Sequence, residues 1–225
     1  MYDVHQRSLD RLRDERGREP KSEAWVELEA ELASNGLETA DFGLLASVVP
    51  TTFDYEAAAP ILVKWLPRVG DPVEKEVIAR SLTSTTTAQL EAARALVGEF
   101  RRLPKKYESG PKWAVANALA TLAGSEVADD ILELVRDRHH GRARQMLCDA
   151  LKRTKDHRAP SALIELIDDD EVAGHAISAL RSYGPKSALP HLRRARPKLE
   201  AVLARETATP LAKRQARRAL ERLED

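Results

Sequence analysis

Thirteen consecutive residues near the middle of the chain, HHGRARQMLCDAL from His139 to Leu151, combine side chains that bind metals, carry protons and attack electrophiles. They include two adjacent histidines, two arginines, an aspartate and the only cysteine of the chain, Cys148. Adjacent histidines cannot easily face one metal ion from a helix, and no Cys/His set with zinc-ligand spacing occurs elsewhere in the sequence. The sequence therefore predicts no metal site and no cofactor.

Other catalytic patterns are also missing from the sequence. It contains no glycine-rich phosphate loop, no nucleophile elbow and no HExxH motif. An acidic run at 168–171, DDDE, suggests a cation site, but it lacks the spaced ligands and the glycine of a calcium-binding loop. An acidic turn that leads into a helix N-terminus is the favoured interpretation. We expect no catalytic residues and a protein that is not an enzyme.

The elements that position these residues follow from an internal repeat. A helical pattern ending in a small residue and a leucine recurs along the chain, with the leucines 37, 32, 29 and 40 residues apart. These leucines are Leu82, Leu119, Leu151, Leu180 and Leu220. Before each of them, an alanine is followed four residues later by a leucine, as in Ala128 and Leu132. This period is that of two short helices with their turns, the unit of an α-solenoid.

Turn residues separate the helical segments, and no stretch alternates with a period of two, so the sequence predicts an all-α fold without a sheet. The expected parts are a polar N-terminal helix or arm at 1–21, an N-terminal capping pair of helices at 22–53, and repeats at 54–225. No segment has the composition of an interdomain linker. We therefore expect a single domain over 1–225, with about five to six repeats.

Three motifs, APILVKWLPRVGDP, RAPSALIELIDDDEVAGHAISAL and LAKRQARRALERL, resemble HEAT repeats, especially the short bacterial kind related to phycobilin-lyase repeats. The resemblance covers about residues 54–223. It implies a right-handed, armadillo-like α-solenoid of HEAT-like helix pairs, whose second helices line the concave side. It also implies a scaffold or adaptor, because the family serves mainly in those roles.

The repeat gives the opening stretch a structural interpretation. His139 and His140 fall in the turn before a second helix, and Cys148 lies two turns into that helix. The residues at the same position in other repeats are Ala79, Ala116 and Ile177. Since these are apolar, we expect a buried structural thiol in preference to a reactive or metal-binding one.

Another set of positions on the second helices points away from the expected core. Counting back two and six residues from each repeat leucine selects one helix face, because the two positions are four residues apart. The predicted members of this groove are Glu76, Arg80, Trp113, Asn117, Gln145, Asp149, Ser178, Arg214 and Arg218. Its expected edge residues are Lys112, Arg142 and Arg144. A polar column with one tryptophan in its middle predicts a partner-binding groove.

Trp113 is the central residue of that prediction. A tryptophan on a helix packs against a neighbouring element more often than it meets a ligand, but the residues that share its repeat position are not core residues. Trp25 and Trp65 fall in first helices and are expected to pack. His175 shares its position with apolar residues, which favours a half-buried, hydrogen-bonded histidine over a general base.

Two functions fit this placement of residues. The favoured one is a non-enzymatic scaffold that binds a protein or peptide along the groove. The alternative is a nucleic-acid binder, such as a HEAT-like alkylpurine DNA glycosylase, in which Trp113, Asp149 and Arg144 would take the cleft roles. Such a protein is expected to carry a continuous basic track, whereas this chain has a net charge of +0 and 4% aromatic residues. Chromophore-lyase activity, which only the repeat subtype suggests, is weaker still.

Charge and cysteine content indicate the partner and the setting. Residues 1–56 carry 6 Lys and Arg against 13 Asp and Glu, whereas residues 186–225 carry 11 against 5. The basic C-terminal end is expected to attract an acidic segment of a protein partner. A single cysteine and the lack of an apolar run that could span a bilayer favour a cytoplasmic monomer that uses no membrane.

Overall fold

The computed structural model describes residues 21–39, 42 and 53–224. Within these residues the regular secondary structure consists of eleven α-helices and short 3₁₀ helices, with no strand, which confirms the predicted all-α fold. Almost all of the predicted arm at 1–21, and most of the second half of the predicted capping pair, lie outside the described residues. No helix in the described ranges is both long enough and apolar enough to cross a membrane.

The chain forms two compact units, Met1–Thr87 and Ala88–Asp225, called unit 1 and unit 2 below. The single domain expected over 1–225 stays a prediction. The helices of unit 1 are α1 (Glu23–Ser34), α2 (Tyr55–Trp65) and α3 (Pro72–Leu82). Each begins after a residue whose side chain accepts a hydrogen bond from a first-turn N–H group, which satisfies an otherwise unpaired donor. These capping residues are Ser22, Asp54 and Asp71.

Aromatic rings join α1 to α2 in unit 1. Trp25 stacks on Phe42 with ring centroids 5.1 Å apart, Phe42 contacts Phe53 at 5.2 Å, and Phe53 meets Tyr55 edge-on at 4.8 Å. Trp25 and Trp65 are both buried, as predicted. Since α2 also contacts α3, the three helices share one core.

Unit 2 contains eight α-helices in consecutive pairs. They are α4 (Gln89–Arg102), α5 (Pro111–Leu122), α6 (Ala128–Arg136), α7 (Arg144–Arg153), α8 (Ala159–Glu165), α9 (Ala173–Arg181), α10 (Pro185–Ala204) and α11 (Pro210–Glu224). The 3₁₀ helices are Lys105–Tyr107, Ser125–Val127, Arg138–Ala143 and Leu166–Asp168. Four of the α-helices begin with proline at the first turn, where the missing N–H group costs no hydrogen bond.

The helices of unit 2 pack pair by pair. The two helices of each pair contact each other: α4 with α5, α6 with α7, α8 with α9, and α10 with α11. The second helices also contact one another in chain order, from α5 through α7 and α9 to α11. Each second helix therefore has one side against its own partner and another against the neighbouring second helices, which leaves a third side partly exposed.

The repeat leucines lie in the core of the unit to which each belongs. Leu82, Leu119, Leu151 and Leu180 are fully buried, and Leu220 in the last helix is half-buried. The first-helix alanines and leucines of the repeat are also buried, including Ala128 and Leu132. Burying a leucine stabilises a fold by roughly 2 kcal/mol, so these columns account for the pairing that the sequence predicts.

Ion pairs join the first helices of unit 2 on its surface. Arg101 of α4 contacts Asp130 of α6 at 2.8 Å, and Arg136 of α6 contacts Glu165 of α8 at 3.0 Å. These side chains are partly exposed, and such pairs typically contribute less than about 1 kcal/mol each. Their consequence is that many cations on the first-helix side already have partners.

Candidate functional site

The two histidines of the opening stretch lie in the 3₁₀ helix Arg138–Ala143, in the turn where the sequence places them. His140 packs edge-on against Phe100 at 4.8 Å, and burial lowers the pKa of its imidazole. His139 is exposed, and its Nδ1 lies 2.9 Å from a carboxylate oxygen of Asp137. In the described part of the chain, no group of three or more His, Cys, Asp or Glu is arranged to hold a metal ion.

Gly141 makes the turn between the histidines and α7 possible. Its φ of +57° is in the left-handed region that favours glycine. A Cβ atom there would lie 1.7 Å from Oε2 of Glu108, the same oxygen that accepts a hydrogen bond from the Arg142 N–H at 2.9 Å. The glycine therefore lets Glu108 approach the backbone and fixes where α7 begins.

Cys148 is the structural thiol that the repeat predicts. It is fully buried, and burial raises the pKa of the thiol well above its usual range. The residues at the same repeat position, Ala79, Ala116 and Ile177, are fully buried as well. A thiol held protonated in an apolar layer is a poor nucleophile and a poor metal ligand.

Arg144 lies in the interior instead of at the edge of a groove. Its side chain is 0% exposed, and Nη1 and Nη2 contact Asp169 at 2.9 Å and Glu171 at 2.8 Å. Nη1 also donates to the carbonyl of Val135 at 3.3 Å, and Nε to that of Gly141 at 3.0 Å. The planar guanidinium supplies donors in several directions at once, so one side chain joins the end of α6, the start of α7 and the turn before α9.

Lys112 is likewise buried and not at a groove edge. Its ammonium donates to the carbonyl of Leu103 and lies 4.9 Å from the centroid of the Phe100 ring. Burial disfavours the charged form and lowers the pKa of the ammonium. Because a helix C-terminus leaves carbonyls unpaired and carries partial negative charge, a cation there stabilises the end of α4.

Both buried cations belong to a repeated position that sequence reasoning missed. Lys75 donates to the carbonyl of Leu66, nine residues earlier, as Lys112 and Arg144 do to Leu103 and Val135. The signal was present, because all three stand seven residues before a repeat leucine. The remaining members of this column are Ala173 and Lys213. Lys213 makes no such bond within the described residues, and the carbonyl of Ile167, in the 3₁₀ turn after α8, accepts from Arg205 at 3.4 Å instead.

The carboxylates of the acidic run at 168–171 form ion pairs with cations of unit 2. Asp168 pairs with Lys198, and Asp170 pairs with Arg205 at 2.6 Å. Asp169 and Glu171 both pair with Arg144. All four carboxylates thus have positively charged partners inside unit 2, which favours the expected acidic turn over a cation site.

In unit 1 the predicted groove residues Glu76 and Arg80 pair with each other. The carboxylate of Glu76 lies 2.6 Å from Nη2 of Arg80, one turn further along α3. Both side chains are partly exposed. An exposed pair of this kind contributes about 0.3–0.5 kcal/mol to the helix, so the structure gives these residues a local role.

In unit 2 the other predicted groove residues lie on the second helices, apart from Arg142 in the 3₁₀ helix before α7. Trp113 and Asn117 of α5, Gln145 and Asp149 of α7, and Ser178 of α9 are all partly exposed. The exposed residues are Arg142, Arg214 and Arg218. Since α5, α7 and α9 contact one another in this order, these side chains stand on neighbouring helices. The amide of Gln145 is already in use, because it donates to the carbonyl of Glu171 at 2.8 Å.

Asp149 and His175 form a half-buried pair of titratable groups between α7 and α9. Burial raises the pKa of the Asp149 carboxyl, while the nearby His175 lowers it. Burial lowers the pKa of His175, and Asp149 opposes that shift. His175 is half-buried, as expected, but no hydrogen bond of its side chain is found among the described residues.

An open depression of about 530 Å³ lies beside Asp149. Its lining residues are Ala120, Asp149, Lys152, Arg153, Lys155, Asp156, Ser182, Tyr183 and Gly184. They come from the C-terminal part of α5, the end of α7 with the turn that follows, and the turn after α9. Sequence reasoning selected only Asp149 among them. A volume of this size is within the range of ligand-binding clefts.

Comparison of the chain with protein-family models, with curated proteins and with solved structures gives no match in any of the three.

Proposed function

We propose that this chain is a non-enzymatic α-solenoid of HEAT-like repeats, a cytoplasmic monomer that binds a protein or peptide along the second helices of unit 2. The observation that carries the proposal is the half-buried side chain of Trp113 on a mainly polar face that spans neighbouring helices. Buried aromatic side chains surrounded by polar groups are frequent anchors of protein interfaces. The ordered pairing of α4 to α11 supports the repeat architecture.

The state of the reactive side chains supports a binding role over a catalytic one. The Cys148 thiol is buried and protonated, and the Arg144 guanidinium is occupied by two carboxylates. Arg144 was the arginine that the glycosylase alternative required. With it in the interior, only Trp113 and Asp149 of that trio lie at the surface.

Residues on the same face suggest how a peptide would bind. The indole of Trp113 would contribute apolar contact, and Asn117, one turn away, offers both a donor and an acceptor to a peptide backbone. Arg214 and Arg218 of α11 are exposed and make no ion pair within the described residues. They would attract an acidic partner segment and raise its association rate.

Selection of peptides from a displayed random library tests the proposal. We expect peptides that bind the wild-type protein and lose roughly tenfold or more in affinity with Trp113→Ala, as a central aromatic anchor predicts. Selected peptides that bind wild type and Trp113→Ala equally would overturn it. Tight binding of duplex or single-stranded DNA, lost in Trp113→Ala, would point to the nucleic-acid alternative.

A charge-reversal pair tests the contribution of α11. Arg214→Glu/Arg218→Glu should slow association of a selected acidic peptide and flatten its salt dependence, with little change in melting temperature. The matched control is Arg94→Glu/Arg193→Glu on the first helices α4 and α10, where both arginines are also exposed and make no ion pair within the described residues. It changes the net charge equally, so an equal effect of both variants would show that overall charge, and not this face, attracts the peptide.

A further inference from the structure

The depression beside Asp149 brings three positively charged side chains together. Lys152 and Arg153 end helix α7, and Lys155 follows in the turn. None of these three side chains forms an ion pair or a side-chain hydrogen bond with another described residue. On the first-helix side of unit 2, by contrast, Arg101, Arg136 and several other cations contact carboxylates of a neighbouring helix.

The two carboxylates of the depression do not cancel this charge. Asp156 accepts hydrogen bonds from the Arg158 backbone N–H at 2.7 Å and from its Nε at 2.9 Å. Its charge is therefore balanced by Arg158, which does not line the depression. Asp149 is half-buried, which raises the pKa of its carboxyl, and the nearby charges of His175 and Lys152 act to lower that pKa. Three cations thus face the opening against one carboxylate that is free of a direct ion pair.

The backbone at Lys155 is a second, independent observation. Its φ of +57° makes it the single non-glycine residue with positive φ in the described ranges. The position follows the last turn of α7, where its N–H donates to the carbonyl of Lys152 at 3.2 Å. Glycine is the usual residue at such a helix end, because it adopts this conformation without steric cost. A lysine here keeps an ammonium at the opening at the expense of backbone strain.

The helix dipole accounts for only part of this arrangement. Lys152 and Arg153 lie in the last turn of α7, where positive charge stabilises a helix. Lys155, however, is beyond the helix, and its strained backbone offsets what its charge would add there. A structural role therefore explains two of the three cations and leaves Lys155 without a reason.

We propose that the depression binds carboxylate side chains of an acidic peptide segment, held by Lys152, Arg153 and Lys155. The inference rests on the proposed peptide-binding function and names the chemistry that its partner must carry. Asp149 and Ala120 connect the two regions, since Asp149 belongs to the predicted groove and Ala120 follows Asn117 by one turn of α5. A peptide over Trp113 would therefore place its next residues at the three cations.

Calorimetric titration of the full chain with octaglutamate tests this, with octaglutamine as the uncharged control peptide. Lys152→Ala/Lys155→Gly should weaken octaglutamate binding by roughly tenfold or more, because two charge-assisted hydrogen bonds to carboxylates are lost. The matched control, Arg94→Ala/Arg193→Ala, removes two exposed cations of unit 2 that do not line the depression. It should change the affinity by less than about twofold, because screening limits distant charges to a range of about 8 Å at physiological salt.

The single variant Lys155→Gly separates binding from folding. It should weaken octaglutamate binding while raising the melting temperature, a combination that simple loss of structure cannot produce. No binding of octaglutamate to the wild type, or equal losses in the test and control variants, would overturn the inference. So would tighter binding of an eight-nucleotide single-stranded DNA with the same dependence on Lys152 and Lys155, which would assign the depression to nucleic acid.

Failure of this inference is distinguishable from failure of the proposed function. If binding of the selected peptides depends on Trp113 but not on Lys152 or Lys155, the inferred carboxylate site is wrong and the proposed groove is retained. The reverse result is octaglutamate binding that depends on Lys155 when no selected peptide depends on Trp113. It would contradict the proposed peptide-binding groove and leave the depression as a separate anion site.

Discussion

The two ends of helix α7 carry cations in opposite circumstances. At its first residue, Arg144 is fully buried and contacts two carboxylates and two backbone carbonyls. At the other end, Lys152 is half-buried, Arg153 and Lys155 are exposed, and none has an ion-pair partner in the described part of the chain. The first end connects helices within unit 2, whereas the second presents charge to the surroundings.

The difference shows that charge on a second helix has two separate uses in this protein. The cation in the first turn of α7, Arg144, faces the C-terminal carbonyls of the preceding helix, and its hydrogen bonds are made within the fold. In the last turn of α7, Lys152 and Arg153 have their own helix end beside them but form no ion pair with a carboxylate in the described part of the chain. Three cations that stand seven residues before a repeat leucine, Lys75, Lys112 and Arg144, are therefore structural, whereas the two that follow Leu151 are not bound within the fold.

Breaking the buried end should have the largest effect. Replacing Arg144 with leucine leaves Asp169 buried without its main counter-charge, so Arg144→Leu should lower the free energy of unfolding by about 3 kcal/mol or more. Urea denaturation measures the change. Arg153→Leu, at the other end of α7, should change stability by less than about 0.5 kcal/mol. Similar losses in the two variants would contradict the division between the ends.

Lys112 sharpens the comparison, because its partners are one carbonyl and one ring, with no carboxylate. Lys112→Met should cost only about 1 kcal/mol at neutral pH, since it leaves no buried charge behind. The effect of pH on the stability of the wild type also has a definite direction. Burial lowers the pKa of Lys112 below 10.5 in the folded protein, so between the two values the unfolded chain binds more protons and wild-type stability rises with pH.

The measurement is the difference in unfolding free energy between wild type and Lys112→Met at neutral and at alkaline pH. The wild type should gain relative to the variant as the pH approaches 10.5, the ordinary value for lysine. A difference that stays constant across this range would show that the ammonium is not destabilised by burial.

At the exposed end, the expected effect on stability has the opposite direction. Lys155→Gly should raise the free energy of unfolding by about 1 kcal/mol, because glycine adopts φ near +57° without strain. Lys152→Gly is a matched control inside the last turn of α7, where glycine should lower stability by about 1 kcal/mol. Thermal melts of the two variants should therefore shift in opposite directions from the wild type.

The smallest effect concerns Tyr183 at the depression. Its hydroxyl is buried without a hydrogen-bond partner among the described residues, and burial raises the pKa of the phenol. Tyr183→Phe removes this unpaired group and should raise stability by about 0.5–1 kcal/mol. A measurable loss of stability would show that the hydroxyl is paired in solution.

The parts of the structure that the sequence predicts are those that depend on helical period alone. The repeat leucines, the buried Cys148 and the partly exposed positions of Trp113 and Asn117 all follow from spacing. The burial of Lys112 and Arg144 does not follow from spacing. A charged residue next to an exposed column looks the same in a sequence whether or not the preceding helix ends close to it in the fold. Lys155 was missed since only glycine or asparagine usually signals a left-handed helix end.

The hydrogen bond from Arg205 to the carbonyl of Ile167 joins residues that are synthesised at different times. The other first helices of this kind receive their cation from nine residues further on, whereas Ile167 receives Arg205 from 38 residues further on. A ribosome synthesises the chain from the N-terminus, so the turn after α8 is complete only when α10 has emerged from the exit tunnel. The carbonyl of Ile167 therefore gains this side-chain donor only after residue 205 has been synthesised.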